Sequence, residues 1–370
     1  MCRTRSTRIV VSFNRLFFPG ARSQFVADKP WQGMCAPPWK RYCARSASMS
    51  KRSNNPEGIL KMSIKCMQAA TMTDLERYVI NGPTMGTCYS AIVCGSTSLD
   101  IENLEKQLER VVSLVDGQMS TWKPHSDLMR LNRTPLEHWV PIPVQLFEVL
   151  DDALEIQGLS NGAFDIGIGD IVNAWGFGAQ GPELDLKAIK ERGKISVPVR
   201  REPAFELDAD GYRARRLLPR QLDLSGIAKG YAVDLMAEIV EQFGIQDYLV
   251  SIDGELRTAG CREDGAPWCI AVETSDPLRR AAGEYLEICD IAVATSGSYR
   301  HQRQIGNLIV SHTMDGRSLK PAMTGTSSVT VFCESCMQAD AWATALMVLG
   351  EAEGLKVAGE LGLNVKFSKD

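Results

Sequence analysis

One apolar segment near the carboxyl end constrains the fold more than any other part of this sequence. Residues 337–350 read Met-Gln-Ala-Asp-Ala-Trp-Ala-Thr-Ala-Leu-Met-Val-Leu-Gly, which predicts a helix with apolar residues on almost every side. Such a helix must be covered by other elements on nearly all of its faces. The chain has 370 residues, of which 44% are hydrophobic, so it can supply a core large enough to bury this helix.

Two polar residues interrupt the segment. Asp340 and Thr344 are four positions apart, so on a helix their side chains share one face. A buried carboxylate without a partner is costly, and a hard cation with oxygen ligands is the simplest partner. The alternative is a helix amino terminus, with Asp340 near the cap and Thr344 bonded back to the preceding turn. The segment alone leaves both interpretations open.

The order of the other elements predicts an α+β fold with mixed or antiparallel sheets and packed helices. Two strands are expected within 79–94, around a turn at 82–87. Helices are expected over 98–115, 143–159, 186–192 and 227–243. Further strands are expected over 248–252, 268–272, 287–294, 308–310, 328–332 and 364–367. Because helices and strands are segregated along the chain and do not strictly alternate, a doubly wound parallel sheet is disfavoured.

Charge is distributed unevenly along the chain. Residues 1–72 hold 13 Lys and Arg against two acids, which leaves 28 basic and 43 acidic residues in 73–370. A region with that excess of acid lacks the basic surface that engages nucleic-acid phosphates, so no nucleic-acid partner is expected. A phosphorylated ligand would need a divalent cation to offset the charge.

The basic segment 1–72 has three interpretations: a targeting segment, a disordered tail, or translated sequence upstream of the true start. Regular structure is expected only from about residue 73, which favours a disordered or non-native extension over 1–72 and one domain over 73–370. Residues 1–72 show neither a secretory apolar core followed by a cleavage site nor a convincing lipid-attachment cysteine. The compartment is therefore left open, with the cytoplasm among the candidates.

The 11 cysteines are dispersed and do not form a disulfide framework. Cys333 and Cys336 make a lone C-x-x-C at the end of a strand-like run, for which zinc binding or redox use is one interpretation. Buried free thiols in a reducing compartment are the favoured one.

Three further segments carry candidate chemistry. At 222–234 a strand end, a Gly-containing turn and a helix start follow one another, so Asp223 could bond a ring or ribose and Lys229 could neutralise a phosphate. The segment 162–178 combines glycines, an acid and large aromatics, which suits a platform for a planar ligand. His312, flanked by hydroxyls after a strand, is a candidate general base. Each has a plain alternative: a solvated lysine in a turn, core aromatics with turn glycines, and a surface histidine.

The order of the motifs resembles that of the FAD:protein FMN transferase family, known as ApbE, from about Val79 to Gly350. The blocks that carry the resemblance are Gly82-Pro-Thr-Met85-Gly86-Thr, Met119-Ser-Thr-Trp122 with Ser126 and Asn132, Ala163-Phe164-Asp165, Trp175-Gly-Phe-Gly178, Asp223-Leu-Ser-Gly-Ile-Ala-Lys229-Gly230-Tyr, Asp253-Gly-Glu-Leu-Arg257, Ala294-Thr-Ser-Gly297-Ser-Tyr299, Ser311-His312 and Ala339-Asp340-Ala-Trp-Ala-Thr344.

Enzymes of this family move FMN from FAD onto a threonine hydroxyl of a target flavoprotein and release AMP. The resemblance implies a flavin cleft between two subdomains, FAD as substrate, Mg²⁺ as cofactor and an acceptor flavoprotein as partner. It implies Asp340, Thr344 and the carbonyl of Gly226 as magnesium ligands and His312 as the base. The FAD contacts that it implies are Met85, Trp122, Ala163, Phe164, Asp165, Asp223, Lys229 and Met314. The family is usually exported and often membrane-anchored, which suggests a bacterial periplasm or inner membrane.

Two other functions remain as alternatives. One is an FAD-binding or FAD-hydrolysing protein on the same scaffold, without transfer to an acceptor. The other is a partner-binding protein in which Asp340 is only a helix cap. The sequence also departs from the family pattern at three positions: Trp122 stands where tyrosine is common, Gly316 where proline is usual and Leu319 where glycine is usual.

Overall fold

The computed structural model describes residues 75–192, 203–273, 282–298, 302–305 and 308–368. The chain divides into two units, Met1–Thr71 and Met72–Asp370, and the first lies wholly outside the described residues. The interpretation of 1–72 as a basic extension to a domain over 73–370 therefore stays a prediction.

Helices predicted from the sequence recur in the structure with small shifts at their ends. The helices in the described ranges are α1 Ile101–Met119, α2 Asp127–Arg133, α3 Val144–Leu159, α4 Gly169–Ala174, α5 Leu186–Arg192, α6 Ala228–Gln242 and α7 Cys336–Leu361. Of these, α2 and α4 were not predicted, because each is only a turn or two long and shows no extended apolar stripe. None of the described helices is both long enough and apolar enough to cross a membrane.

The strands are short and numerous. Those in the described ranges are β1 Leu75–Thr84, β2 Thr87–Ser96, β3 Val140–Pro141, β4 Phe205–Asp208, β5 Arg213–Arg216, β6 Asp247–Ile252, β7 Glu255–Ala259, β8 Trp268–Glu273, β9 Ala282–Ile288, β10 Ala292–Gly297, β11 Gln302–Ile305, β12 Leu308–Ser311, β13 Met314–Asp315, β14 Lys320–Pro321, β15 Ser328–Cys333 and β16 Asn364–Ser368.

Seven strands form the main sheet, in the order β1-β2-β6-β7-β10-β15-β16, and every neighbouring pair is antiparallel. The others form a three-stranded sheet, β3-β5-β4, and the two-stranded sheets β8-β9, β11-β12 and β13-β14. The prediction of an α+β fold with antiparallel sheets is confirmed. A flavin cleft between two subdomains stays a prediction.

The hairpin of β1 and β2 closes through a two-residue turn. Thr84 pairs with Thr87, and the intervening Met85 and Gly86 have φ values of 48° and 75°. Positive φ at both central residues is the turn that matches the right-handed twist of the flanking strands. Gly86 adopts this conformation without cost, whereas Met85 is held in it by the hairpin.

The pair α6 and α7 packs against the main sheet. Helix α7 contacts β10 and β15, α6 contacts β6 and β7, and the two helices contact each other. From Cys336 to Leu349, every residue of α7 except Gln338 and Thr344 is buried, which confirms the predicted helix with cover on nearly all sides. The helices lie so close that a Cβ on Gly230 of α6 would be 2.3 Å from the backbone oxygen of Cys336.

The amino terminus of α7 is capped partly from α6. The Asp234 carboxylate accepts from the backbone N–H groups of Cys336 at 3.0 Å and Met337 at 2.9 Å. The same carboxylate lies 3.0 Å from the guanidinium of Arg257. Within α7 itself the cap is Ser335, whose hydroxyl accepts from the backbone N–H of Gln338. The interpretation of Asp340 as the cap of its own helix is therefore wrong.

The C-x-x-C pair lies at the junction of β15 and α7. Cys333 and Cys336 are both free thiols. Burial raises the pKa of the Cys333 thiol to about 12 and raises that of Cys336 well above its ordinary value. Burial thus favours the protonated thiol in both residues, which agrees with the interpretation of buried free thiols.

One predicted strand is wrong as a single element. The expected strand over 287–294 is interrupted, because β9 ends at Ile288 and β10 begins at Ala292. Asp290, between them, has φ of 50°, and its carboxylate accepts from the backbone N–H of Gly260 at 2.8 Å. This left-handed residue lets the chain leave the β8-β9 sheet and enter the main sheet. Because apolar residues stand on both sides of the break, the sequence pattern does not show that one strand ends and another begins.

Candidate active site

Asp340 lies inside α7 with 4% of its surface exposed. Its Oδ2 accepts from the backbone N–H of Gly230, in the first turn of α6, at 3.1 Å. Burial first, and then the carboxylate of Glu255, raise the pKa of Asp340 to about 7, against the opposing effects of Lys229 and the Gly230 amide. A carboxylate in these surroundings is disfavoured as an anion unless a cation compensates it.

Lys229 supplies one cation next to Asp340. Its Nζ lies 2.7 Å from Oε1 of Glu255 and 3.8 Å from Oδ2 of Asp253. Burial lowers the pKa of Lys229, but Glu255, Asp340 and Asp253 outweigh it, so that the pKa rises. Lys229 is therefore charged throughout the physiological range. Three carboxylates share this one ammonium group, which leaves an excess of negative charge at the cluster.

Glu255 is a site residue for which no role was predicted from the sequence. Its side chain is 5% exposed, and it begins β7 directly after a two-residue turn, where Asp253 has φ of 56°. The signals for this position in the sequence are its place in the family block Asp253-Gly-Glu-Leu-Arg257 and the letter pattern Asp-Gly-Glu after a predicted strand. That pattern predicts a turn, but it does not reveal that α7 places Asp340 beside the glutamate.

Thr344 lies one turn after Asp340 in α7 and meets the loop before α6. Its Oγ1 is 3.2 Å from Oγ of Ser296. A Cβ built on Gly226 would lie 3.0 Å from the Thr344 Oγ1 and 3.5 Å from the Phe164 ring. The structure thus brings together Gly226, Thr344 and Phe164, three of the residues predicted from the sequence.

Ala163, Phe164 and Asp165 are buried side by side in the segment after α3. The Asp165 carboxylate accepts from the backbone N–H of Gly167 at 2.8 Å and lies 3.7 Å from Arg220. This segment is joined to the strand end before α6, because the backbone N–H of Asp223 donates to the carbonyl of Ile166 at 2.8 Å.

Asp223 is oriented by its own loop. Its Oδ1 accepts from the backbone N–H of Ser225 at 2.8 Å and from the Ser225 hydroxyl at 2.5 Å. Nearby, Asn132 forms a two-way link, since its side-chain amide donates to the carbonyl of Leu222 and its oxygen accepts from the Leu222 N–H. These bonds hold the loop before α6 against the rest of the domain.

The β13-β14 hairpin carries Met314 to this segment. Met314 is buried and packs with Ile171 and Leu319. A Cβ on Gly316 would lie 2.4 Å from the carbonyl oxygen of Gly162 and 2.5 Å from Cβ of Asp165, so residue 316 must be glycine for the hairpin to pack this closely. Leu319 has φ of 57° yet is 4% exposed. The departure at Gly316 therefore has a local structural reason, whereas at position 319 the positive φ favours the family's glycine and only the burial of the side chain favours leucine.

His312 follows β12 and is exposed. Its ring lies with its centroid 6.4 Å from that of Phe177 at an interplanar angle of 63°. Phe177 also packs against the cluster that holds Met314. His312 is thus connected to the predicted flavin residues through Phe177.

Met85 and Trp122 occupy the edge of the region. Met85 packs at the β1-β2 turn against the main core, and Trp122 is 67% exposed just after α1. No contact described for either residue joins it to the cluster around Asp340. Two surface cavities of about 370 and 460 Å³ lie on either side of Asp170, and neither is lined by a predicted flavin or metal residue. The chemistry of the buried cluster, and not these cavities, marks the candidate site.

The chain is similar to known proteins in both sequence and fold. The model of the ApbE family matches residues 85–367. The FAD:protein FMN transferase of Vibrio cholerae is 35% identical over 285 residues, 76% of this chain and 84% of the relative, and that of Escherichia coli K12 is 31% identical over 301 residues, 80% and 86%.

Two solved structures are similar in fold. The flavin transferase ApbE of Vibrio cholerae has a TM-score of 0.71 at 34% identity, covering 79% of this chain and 93% of the other. The apo form of the Pseudomonas stutzeri flavinyl transferase ApbE has a TM-score of 0.71 at 33% identity, covering 80% and 92%. Together with the buried acidic cluster and the order of its motifs, these matches show that the chain belongs to the ApbE family.

Proposed function

We infer that this protein is an enzyme that transfers FMN from FAD to a protein acceptor, the activity for which its curated relatives are named. We further propose that the acceptor group is a threonine hydroxyl and that the reaction depends on Mg²⁺. FAD is the substrate, and AMP is the expected leaving product.

The observation that carries the proposal is that α7 meets the start of α6 at two points, where Asp340 accepts from the amide of Gly230 and Thr344 lies against Gly226. A carboxylate, a hydroxyl and a backbone carbonyl are the hard oxygen donors that Mg²⁺ prefers. Among the described residues, no group of three or more His, Cys, Asp or Glu side chains could hold a metal. We propose instead a mixed donor set with a single carboxylate at this cluster.

Bound Mg²⁺ would neutralise pyrophosphate charge and stabilise the departing AMP. Lys229 would add a fixed positive charge beside the same phosphates, and Glu255 would hold its ammonium group in place. The region has an excess of acid, so an anionic substrate needs both cations close at hand.

The buried segment Ala163–Asp165 and the adjoining Asp223 loop would bind FAD beside the metal, with Met314 packing from the hairpin. Met85 and Trp122 are proposed as FAD contacts at the rim. Trp122 offers an exposed aromatic face, which suits stacking on a flat ring.

His312 is proposed to accept the proton of the acceptor hydroxyl as that oxygen attacks the phosphoryl group of the FMN half. A threonine hydroxyl is a weak nucleophile at neutral pH, so a base within hydrogen-bond reach assists it. A macromolecular acceptor can reach an exposed histidine at the end of a strand, whereas it could not reach one in the core.

The experiment is an incubation of the full chain with FAD, Mg²⁺ and an acceptor flavoprotein domain, followed by the intact mass of the acceptor. A gain equal to FMN less one water, with AMP released, supports the proposal. Parallel reactions use EDTA in place of Mg²⁺ and an acceptor whose target threonine is valine, and neither should gain mass. Free FMN and AMP with an unchanged acceptor would identify an FAD hydrolase, and an absence of FAD binding would exclude both functions.

A further inference from the structure

We propose that Arg303 is a positioning residue for the transfer reaction, which holds the loop of Phe177 against His312 and so fixes the orientation of the imidazole. This inference rests on the proposed role of His312 as the base. Arg303 lies on β11 outside every block that identifies the family, and the sequence alone gives it no role.

The Arg303 side chain is hydrogen-bonded to the loop after α4. Its Nη1 donates to the carbonyl oxygens of Trp175 at 3.0 Å and Gly176 at 3.2 Å. The guanidinium carbon lies 5.9 Å from the centroid of the Phe177 ring, within the range of a cation–π contact. One side chain thus contacts three consecutive residues of the loop.

The loop leaves space for this guanidinium. Gly176 has φ of 71°, and a Cβ there would lie 1.9 Å from Nη1 of Arg303 and 2.5 Å from the carbonyl oxygen of Pro182. Any other residue at 176 would displace the arginine or the backbone of the loop. The position of the Arg303 guanidinium therefore depends on glycine at position 176.

His312 contacts the same ring from a neighbouring strand. In the β11-β12 hairpin Arg303 pairs with Val310, and Gln302 pairs with Ser311, the residue before His312. Arg303 and His312 therefore project from the same end of one hairpin, and both contact Phe177. The Phe177 ring contacts both the guanidinium and the imidazole, so a displacement of the ring on loss of Arg303 should alter the position of His312.

The orientation of a general base affects the rate strongly. A displacement of about 1 Å in a reacting group can cost about 100-fold in rate. Since Arg303 has no described contact with Asp340, Lys229 or the Asp223 loop, its loss should lower the rate of the chemical step more than it lowers FAD affinity.

The first test measures the geometry without turnover. Imidazole signals of the full chain are recorded by NMR, and the four histidines allow His312 to be assigned by comparison with His312→Ala. In Arg303→Met the His312 signals should shift, because the ring of Phe177 moves relative to the imidazole. The matched control is Arg215→Met, which removes an arginine stacked 4.6 Å from Trp139 on the β4-β5 hairpin and should leave His312 unchanged.

The second test measures transfer from FAD to the acceptor. Arg303→Met should lower kcat by about 10-fold or more and change FAD affinity by less than about 3-fold, with Arg303→Lys intermediate because an ammonium cannot reproduce the fork of donors. Arg215→Met should keep the wild-type rate. In a His312→Ala background, Arg303→Met should have no further effect, since both changes act on the same group.

Unchanged His312 signals with unchanged kcat would overturn the inference, and so would effects that multiply with those of His312→Ala. A parallel loss of FAD affinity and kcat would make Arg303 a ligand contact instead. If the wild-type chain transfers no FMN, the proposed function fails on its own, while the NMR comparison still decides whether Arg303 sets the surroundings of His312.

Discussion

Asp234 and Asp340 each accept hydrogen bonds from the first turn of the other's helix. Asp234 of α6 binds the amides of Cys336 and Met337, and Asp340 of α7 binds the amide of Gly230. Carboxylates at helix amino termini are stabilised by the unpaired N–H groups and the helix dipole. The bond that orients Asp340 is thus one half of a symmetrical link between two helices.

The first prediction separates these two carboxylates. Asp340→Asn should reduce FMN transfer by about 100-fold or more at any Mg²⁺ concentration, because an amide is a poor ligand for a hard cation. The amide oxygen can still accept from Gly230, so the fold should be kept. The measurement is the transfer rate as a function of Mg²⁺, with calorimetric Mg²⁺ binding alongside it.

Asp234→Asn is the comparison variant for Asp340→Asn. It leaves Arg257 without its closest carboxylate, so it should lower the free energy of unfolding by roughly 3–5 kcal/mol. The protein that remains folded should show the wild-type dependence of the transfer rate on Mg²⁺. If the Asp340→Asn enzyme is active and only less stable, Asp340 is not a magnesium ligand.

The second prediction concerns His312. His312→Ala should keep near-normal FAD affinity and lose about 100-fold or more in transfer rate, since general base catalysis contributes about 10²–10⁴-fold. His138→Ala, at an exposed histidine bonded to the carbonyl of Leu136, should have no effect. Loss of FAD affinity and transfer in equal measure would make His312 a ligand contact. Asp315 is then a weak replacement, because Arg317 pairs with it at 3.1 Å.

The third prediction tests the close approach of α6 and α7. Gly230→Ala places a methyl 2.3 Å from the carbonyl of Cys336, so the helices must separate, at a cost of about 1–3 kcal/mol or more. Gly359→Ala is the control, because that glycine of α7 has open space around it and alanine favours a helix by about 1 kcal/mol. Urea unfolding measures both. Equal stability of the two variants would contradict the packing described above.

The fourth prediction concerns pH. Because burial and Glu255 raise the pKa of Asp340 to about 7, the folded protein binds a proton there that the unfolded chain has released. Without metal, the free energy of unfolding should therefore fall relative to Asp340→Asn as pH rises from about 4 to about 7, and then level off. Urea unfolding in EDTA across this range measures the difference.

Saturating Mg²⁺ should weaken or reverse this trend, because the metal binds the deprotonated carboxylate in the folded state. A difference between the wild type and Asp340→Asn that stays constant from pH 4 to pH 7.5 would contradict the raised pKa.

Helices and strands could be predicted from the sequence more accurately than contacts between distant residues. The helix over 186–192 matches α5 to the residue, and the buried helix of the carboxyl region matches the first half of α7. Both have a strong local signal in apolar spacing or composition. β7 was missed, because Glu-Leu-Arg-Thr-Ala shows little apolar alternation and its place in the sheet comes from its neighbours.

The candidate site was only partly accessible from sequence for a related reason. Asp340 and Thr344 stand out as polar residues in an apolar helix, so composition alone raised the question of a partner. The partner atom, the amide of Gly230, lies 110 positions away, and Arg303 lies 128 positions from the carbonyl of Trp175. Pairings at such separations are set by the tertiary fold and leave no mark in local periodicity.

The kink in α7 has a dynamic consequence. Gly350 has φ of 74° and ψ of 173°, so the helix is two rods joined at one residue, and Thr324 binds the carbonyl of Met347 just before the joint. The first rod carries Asp340 and Thr344, whereas the second is mostly exposed. We therefore expect the outer rod to open and close by local unfolding while the amides around Asp340 and Thr344, the proposed metal ligands, stay protected from hydrogen exchange. A break in the backbone thus separates the proposed site from local unfolding of the outer rod.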